Sequence, residues 1–158
     1  MHDDAPTPLD PGLLRLMRIR GAIAGALLLA AAAVAEIATR GELPVPPGVF
    51  LAPALLLFAY LALWSPPRRY RAWGYWMDGE ELRLRRGVWI RVQTLVPLDR
   101  VQHIDVSQGP VERGLGICSL ILHTAGTLHS QIVVPGLARD TAERMRDEIR
   151  ARIREEPA

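Results

Sequence analysis

The spacing of apolar residues changes character once along this chain, near residue 67. Before that point the apolar positions run together. GAIAGALLLAAAAVA, Gly21 to Ala35, carries no charge, and Glu36, Ile37 and Ala38 lengthen the run. A helix of about 18 residues reaches about 27 Å, enough for a hydrocarbon core of roughly 30 Å. TRGELPVPPG then supplies the Gly and Pro of a tight turn. VFLAPALLLFAYLALW, Val49 to Trp64, is again uncharged; Leu43 to Gly48 lead into it and Ser65-Pro66-Pro67 close it. Pro53 falls in the first turns, where a missing N–H is tolerated, and Tyr60 and Trp64 sit near one end as interfacial aromatics do. The pattern predicts a short N-terminal segment, 1–17, and a two-helix transmembrane anchor over 18–66, with spans at about 20–39 and 46–65.

After residue 67 the period falls to two. Leu82 and Leu84 alternate with Arg83 and Arg85, Arg86-Gly87 signals a turn, and Val88, Ile90 and Val92 alternate with Trp89, Arg91 and Gln93. This predicts a hairpin with one apolar and one arginine-bearing face, preceded by a strand in which Trp73, Tyr75 and Met77 share parity. Leu98 and Val101 have helical spacing, so Pro97 to Gln102 predict a single turn. Ile104 and Val106 then alternate with His103, Asp105 and Ser107 as a further strand. GPVERGLG breaks the pattern, ICSLILHT reads as a central strand, and SQIVVPGL reads as the last. In LARDTAERMRDEIRARIREE, Ala142, Met145, Ile149 and Ile153 form one stripe, Asp140 and Glu143 have capping-box spacing, and Glu148 and Arg152 are an i,i+4 pair. The expected class is α+β: two transmembrane helices, then a small antiparallel barrel or sandwich over 70–156 closed by an amphipathic helix.

Charge orients the anchor. Arg15, Arg18 and Arg20 precede the first span and Arg68, Arg69 and Arg71 follow the second, whereas the loop has Arg40 beside Glu42. The positive-inside rule puts both termini in the cytoplasm and the loop outside, at the cell membrane. A competing reading of the first span is a signal peptide cleaved after Ala33-Val34-Ala35; the long leader with Asp3, Asp4 and Asp10 speaks against it. Glu36 reads as a carboxylate at the headgroup level rather than an ion relay. Gly21 and Gly25 form a small-xxx-small pattern of the kind found where membrane helices pair.

Composition narrows the functional classes. All 19 basic residues are arginine and the net charge is only +2, without the concentrated basic patch of a nucleic-acid binder. Cys118, the single cysteine, lies in an apolar run and is expected as a buried thiol. His103, His123, His129 and Cys118 fit no compact zinc spacing, although His103 and His123 could meet across a sheet. GPVERGLG lacks the Lys-Ser/Thr of a phosphate loop, Ser107, Ser119 and Ser130 sit in no nucleophile elbow, and Glu80 and Glu81 read as turn residues. No enzyme, metal or cofactor is expected. The remaining candidate binding residues are Arg83, Arg85, Trp89 and Arg91 on the hairpin, beside the membrane-proximal arginines; the competing reading is a solvated face that protects a sheet edge.

Leu82 to Gly126 also carries a resemblance. Gly87 follows a basic hairpin strand; then come Val96-Pro97-Leu98-Asp99-Arg100, Val101-Gln102-His103, Gly109-Pro110, Arg113-Gly114-Leu115-Gly116 and Thr124-Ala125-Gly126. These resemble the bacterial pleckstrin-homology-like (PH-like) domain of YdbS-type membrane proteins, and with the two spans the likeness extends from about residue 15. It implies a PH-like fold, a two-span anchor and no catalytic residues. It also implies partnership with another membrane protein, such as a larger one bearing several such domains, or with itself. The motif residues read as fold-forming: apolar positions pack the sheet, Asp99 and Arg100 pin a turn, and the glycines permit reversal. The expected function is a non-catalytic interaction module at the bilayer's cytoplasmic face, the alternative being recognition of anionic lipid headgroups.

Overall fold

A computed structural model describes residues 6–40, 46–124 and 131–155. Glu42, Leu43, Ala125, Gly126, His129 and Ser130 of the sequence reading lie outside them. The chain forms two compact units, Leu14–Arg68 and the N-terminal residues through Leu13 together with Arg69 onward.

Helix α1 runs from Pro11 to Thr39, starting well before the span expected from hydropathy. The Asp10 carboxylate accepts the Gly12 N–H at 2.7 Å, and Pro11 occupies the first position, where a missing N–H costs nothing. This helix is long and apolar enough to cross a membrane. The second apolar stretch comprises α2 (Leu51–Ala59), a π turn (Tyr60–Trp64) and α3 (Ser65–Arg71). Ser65-Pro66-Pro67 therefore do not end the helix, as the sequence reading had them do. The Ser65 N–H reaches back to Tyr60 O, and after this wide turn the prolines fall in the first turn of α3, where their rings and missing donors are accommodated. Among the described residues, α1 is the one helix that meets the length and composition for a span.

Within the helical unit, a Cβ on Gly21 would strike the Leu61 backbone and one on Gly25 would strike Phe58. The small-xxx-small pair thus serves close approach inside the chain. Glu36, buried, closes the same unit: its carboxylate accepts the N–H groups of Gly48 at 2.5 Å and Phe50 at 3.2 Å, just ahead of α2. It caps the start of the helix that follows. Glu36→Ala is expected to lower the thermal midpoint of the helical signal in mild detergent by a few degrees, and Glu36→Gln by less. Equal midpoints for Glu36→Ala and wild type would show that this carboxylate does not hold the turn.

The second unit is built on two antiparallel sheets. β1 (Gly74–Met77), β2 (Glu81–Arg86) and β3 (Val92–Pro97) pair in that order. β4 (Val101–Ser107), β5 (Ile117–Thr124) and β6 (Gln131–Ala138) form the other, with β5 central as its apolar run predicts. The sheets are separate, so the barrel alternative does not hold. Leu98–Arg100 form a 3-10 turn between them, and Pro110–Gly114 form a short helix, α4, that the sequence reading treats only as a break. Pro110 at its first position, and Glu112 accepting the Gly109 N–H at 2.8 Å, explain it. The final helix, α5 (Arg139–Glu155), packs Ala142, Met145 and Ile149 against β4, β5 and β6, while Ile153 stays partly exposed. The Asp140–Glu143 capping box is absent, because β6 ends at Ala138 and helix begins at Arg139, leaving Asp140 inside it; Glu143 accepts from Arg139 Nε at 3.0 Å instead.

Two outer edges of these sheets are covered by the N-terminal residues. Thr7 and Tyr75 exchange both backbone hydrogen bonds, at 2.9 and 3.2 Å, along β1. The Asp10 N–H bonds Gly136 O of β6 at 2.9 Å, and the Tyr70 hydroxyl donates to Leu9 O at 2.5 Å. Leu9 and Leu13 are buried. The segment read from sequence as a separate leader thus contributes core to the sheet unit. β6 is bulged where it docks: Cys118 faces Leu137 and Leu120 faces Val134, so Pro135 and Gly136 oppose Ser119, with Gly136 at φ +63°.

Candidate functional site

The hairpin carries the candidate residues, and the structure divides them between two places. β2 and β3 pair Arg86 with Val92, so the connection is a five-residue loop, Gly87–Arg91, and not a tight turn at Arg86-Gly87. The alternation from Val88 to Arg91 is therefore not that of a strand. Gly87, at φ +105°, starts the loop, and its Cα lies so near Ile90 O that any side chain would collide with it. The loop projects Trp89, 92% exposed, and Ile90, 79% exposed, with Val88 at 42%. Arg86 and Arg91 flank them, both exposed.

Arg83 and Arg85 stay on the sheet. Arg83 pairs with Glu81 and lies 3.8 Å from Asp78. The N–H groups of Glu81 and Glu80 that bond Asp78 Oδ1, at 3.0 and 3.2 Å, hold the Asp78 carboxyl below its usual range. Glu80 lies in the turn before β2, as expected from sequence, whereas Glu81 is the first residue of the strand and pairs with Pro97. Arg85 stacks over Trp76 with its guanidinium carbon 5.7 Å from the ring centroid. The four candidates thus do not form one face: two are engaged within the sheet, and Trp89 and Arg91 stand in the loop.

The membrane-proximal arginines are exposed on helices: Arg15, Arg18 and Arg20 on α1, Arg68, Arg69 and Arg71 on α3. Arg68 lies 4.2 Å over the Trp64 ring. Of the motif residues, Leu98 is buried in the 3-10 turn and its N–H bonds Glu80 O at 3.0 Å. That pair pins the turn, in place of the expected Asp99 and Arg100, which are exposed with Pro97 and Gln102. Gly109 precedes α4, Pro110 opens it, Gly114 ends it, and Gly116 follows at φ +70°.

His103 and His123 do meet, opposite one another on β4 and β5 with ring centroids 5.7 Å apart. Their Nε2 atoms both address Asp105, at 2.8 and 3.2 Å, on an exposed sheet face. No group of three such side chains among the described residues is arranged to hold a metal ion. Cys118 is buried with its thiol toward Leu137 O at 3.6 Å. Burial, with the Glu112 and Glu143 carboxylates near it, pushes the thiol pKa up and keeps the sulfur protonated.

The other feature of note is a groove of about 460 Å³ along β3. Its lining includes Val92, Thr94 and Val96 of β3, Thr124 and Ile132 of the other sheet, and Arg86 and Arg100. β3 is an outer strand, so one of its edges has no strand partner among the described residues. Leu95 on this strand is 53% exposed. A parity argument on sequence could not find the groove, since its lining residues on the two sheets are about 30 residues apart along the chain.

Comparison with known proteins agrees with this architecture. The chain is 29% identical over 151 residues to the UPF0699 transmembrane protein YdbS of Bacillus subtilis (strain 168), covering 94% of this chain and 93% of that one. No solved structure gives a significant match. A family model described as the bacterial PH domain matches residues 21–153, most of the sequence, and the chain belongs to that family.

Proposed function

We propose that this protein is a non-catalytic assembly module, held by a two-span helical hairpin at the cytoplasmic face of the cell membrane. α1, the uncharged stretch folded back on Gly21 and Gly25, and the transmembrane designation of the Bacillus subtilis relative support the anchor. Arg15, Arg18 and Arg20 before it, and Arg68, Arg69 and Arg71 after it, favour cytoplasmic ends.

The observation that carries the assembly role is the edge of β3 that has no strand partner among the described residues. The N-terminal segment covers β1 and β6, whereas β3 presents the exposed side chains of Val92 and Leu95 beside a groove. An extended segment of another membrane protein can add there as a strand, its backbone supplying the hydrogen bonds and Arg86 and Arg100 favouring acidic residues within it. The tether raises local concentration, so a pairing weak in solution becomes effective on the membrane.

A photo-crosslinking residue at position 95 of the tagged full-length protein, in its native membrane, is expected to capture one membrane protein that co-purifies with the wild type. The same residue at Arg150 on α5 is expected to capture none. Val92→Glu with Leu95→Glu should cut the co-purified partner by about tenfold or more. Capture of a second copy of this chain would make the assembly homomeric. The absence of any protein crosslink at position 95 would overturn the reading.

A further inference from the structure

The β2–β3 loop is unlike the rest of the sheet unit. Its apolar side chains are turned out, and Trp89 is nearly fully exposed. A solvated Trp-Ile tip has a hydration cost that a water-facing loop normally avoids with polar residues. Gly87 closes the loop against Ile90 O, so the tip is preformed and needs little ordering on binding.

Its charge is one-sided. Between Glu81 and Asp99 the chain has Arg83, Arg85, Arg86 and Arg91 and no acidic residue. Glu81 and Asp78 occupy Arg83 and Trp76 stacks under Arg85, which leaves Arg86 and Arg91, exposed on either side of the tip, to set the field there. Two guanidinium groups flanking an indole and two aliphatic side chains match the depth profile of an anionic bilayer surface. Phosphates meet the arginines, the indole N–H stays at the headgroup level, and the aliphatic groups lie deeper.

Strand pairing places the tip at one particular end of its own sheet. Gly74, three residues past the end of α3, pairs with Arg85, so β2 delivers its C-terminal end and the loop to the end of the sheet at which the chain enters from the anchor. From these observations we infer that Val88, Trp89 and Ile90 insert into the headgroup region of an anionic bilayer. Arg86 and Arg91 bind lipid phosphates there and add a second attachment to the membrane. This rests on the anchor of the proposed function and not on the β3 edge.

The test uses the full-length protein reconstituted in vesicles of phosphatidylcholine with about one-third phosphatidylglycerol. Ile90→Cys carries an environment-sensitive fluorophore; Arg150→Cys, on the exposed side of α5, is the reference. Cys118, buried as a protonated thiol, stays unlabelled, and the wild-type protein checks this. The probe at 90 is expected to emit to the blue of the probe at 150 and to be quenched by an aqueous reductant about fivefold more slowly or less. Trp89→Ser, and Arg86→Gln with Arg91→Gln, should each abolish most of that protection, the arginine pair losing it through weaker attraction to phosphatidylglycerol. Equal quenching at 90 and 150 in protein that floats with the vesicles would overturn insertion and leave the anchor standing. Failure to float would overturn both. Protection that appears only in native membranes containing a protein partner would make the tip a protein contact and would equally overturn insertion.

Discussion

Leu120→Ala is expected to be the most damaging single truncation in the sheet unit, costing about 4 kcal/mol. Leu120 is fully buried on β5, the central strand, between Val106 of β4 and Val134 of β6. Strands on both sides fix the backbone there, and Ile117, Leu122 and Ile149 are themselves fully packed, so the space cannot collapse and the cavity term adds to the lost transfer energy. Domains of this size hold about 5–15 kcal/mol and lose about 4–8 °C of midpoint per kcal/mol, so the midpoint should drop by roughly 15–30 °C. Val133→Ala on the adjacent strand is the control. That side chain is 39% exposed, and its loss should stay within about 1 kcal/mol. Calorimetry of the full-length protein in mild detergent measures both. A fall at Leu120 no larger than at Val133 would mean that this sheet does not hold the core.

Much of this core was legible from period alone. β4, β5 and α5 followed from alternation, from an apolar run and from the Ala142–Met145–Ile149 stripe, because burial on one face leaves a periodic trace whatever the partner is. The hairpin was misread for a related reason. Val88, Ile90 and Val92 keep strand parity, but the Arg86–Val92 pairing excludes Gly87–Arg91 from the ladder, and parity carries no information about which side of a loop meets water. Hence parity groups Trp89 and Arg91 with Arg83 and Arg85, whose partners are Glu81 of β2, Asp78 just before it and Trp76 of β1. The helix-start pair Asp10-Pro11 and the α4 signals Pro110 and Glu112 were present in the sequence and were overshadowed by hydropathy and glycine count. The docking of Thr7 and Asp10 had no periodic trace at all, since Tyr75 and Gly136 are far away along the chain.

That docking makes Gly136→Ala the second large loss, about 2–5 kcal/mol. Two effects combine: alanine at φ +63° costs about 1–2 kcal/mol, and its methyl would lie 2.5 Å from Leu13 Cβ, an overlap worth about 1–3 kcal/mol more. Gly116→Ala separates them. Gly116 has φ +70° with nothing within 4 Å, so its substitution carries the backbone cost alone, about 1–2 kcal/mol. The difference between the two midpoints then measures how firmly the N-terminal residues hold the β6 bulge. A local readout should agree: a cysteine at Leu9, buried in the wild type, should become reactive in Gly136→Ala and stay protected in Gly116→Ala. The chemistry behind this is specific. Asp10 donates its N–H to Gly136 O while its carboxylate caps the first turn of α1, so displacing Leu13 loosens a backbone bond and a helix cap together. Equal costs at the two glycines would mean that the segment lies on the bulge without being held by it, and the covering of β1 and β6 would then owe nothing to Leu13.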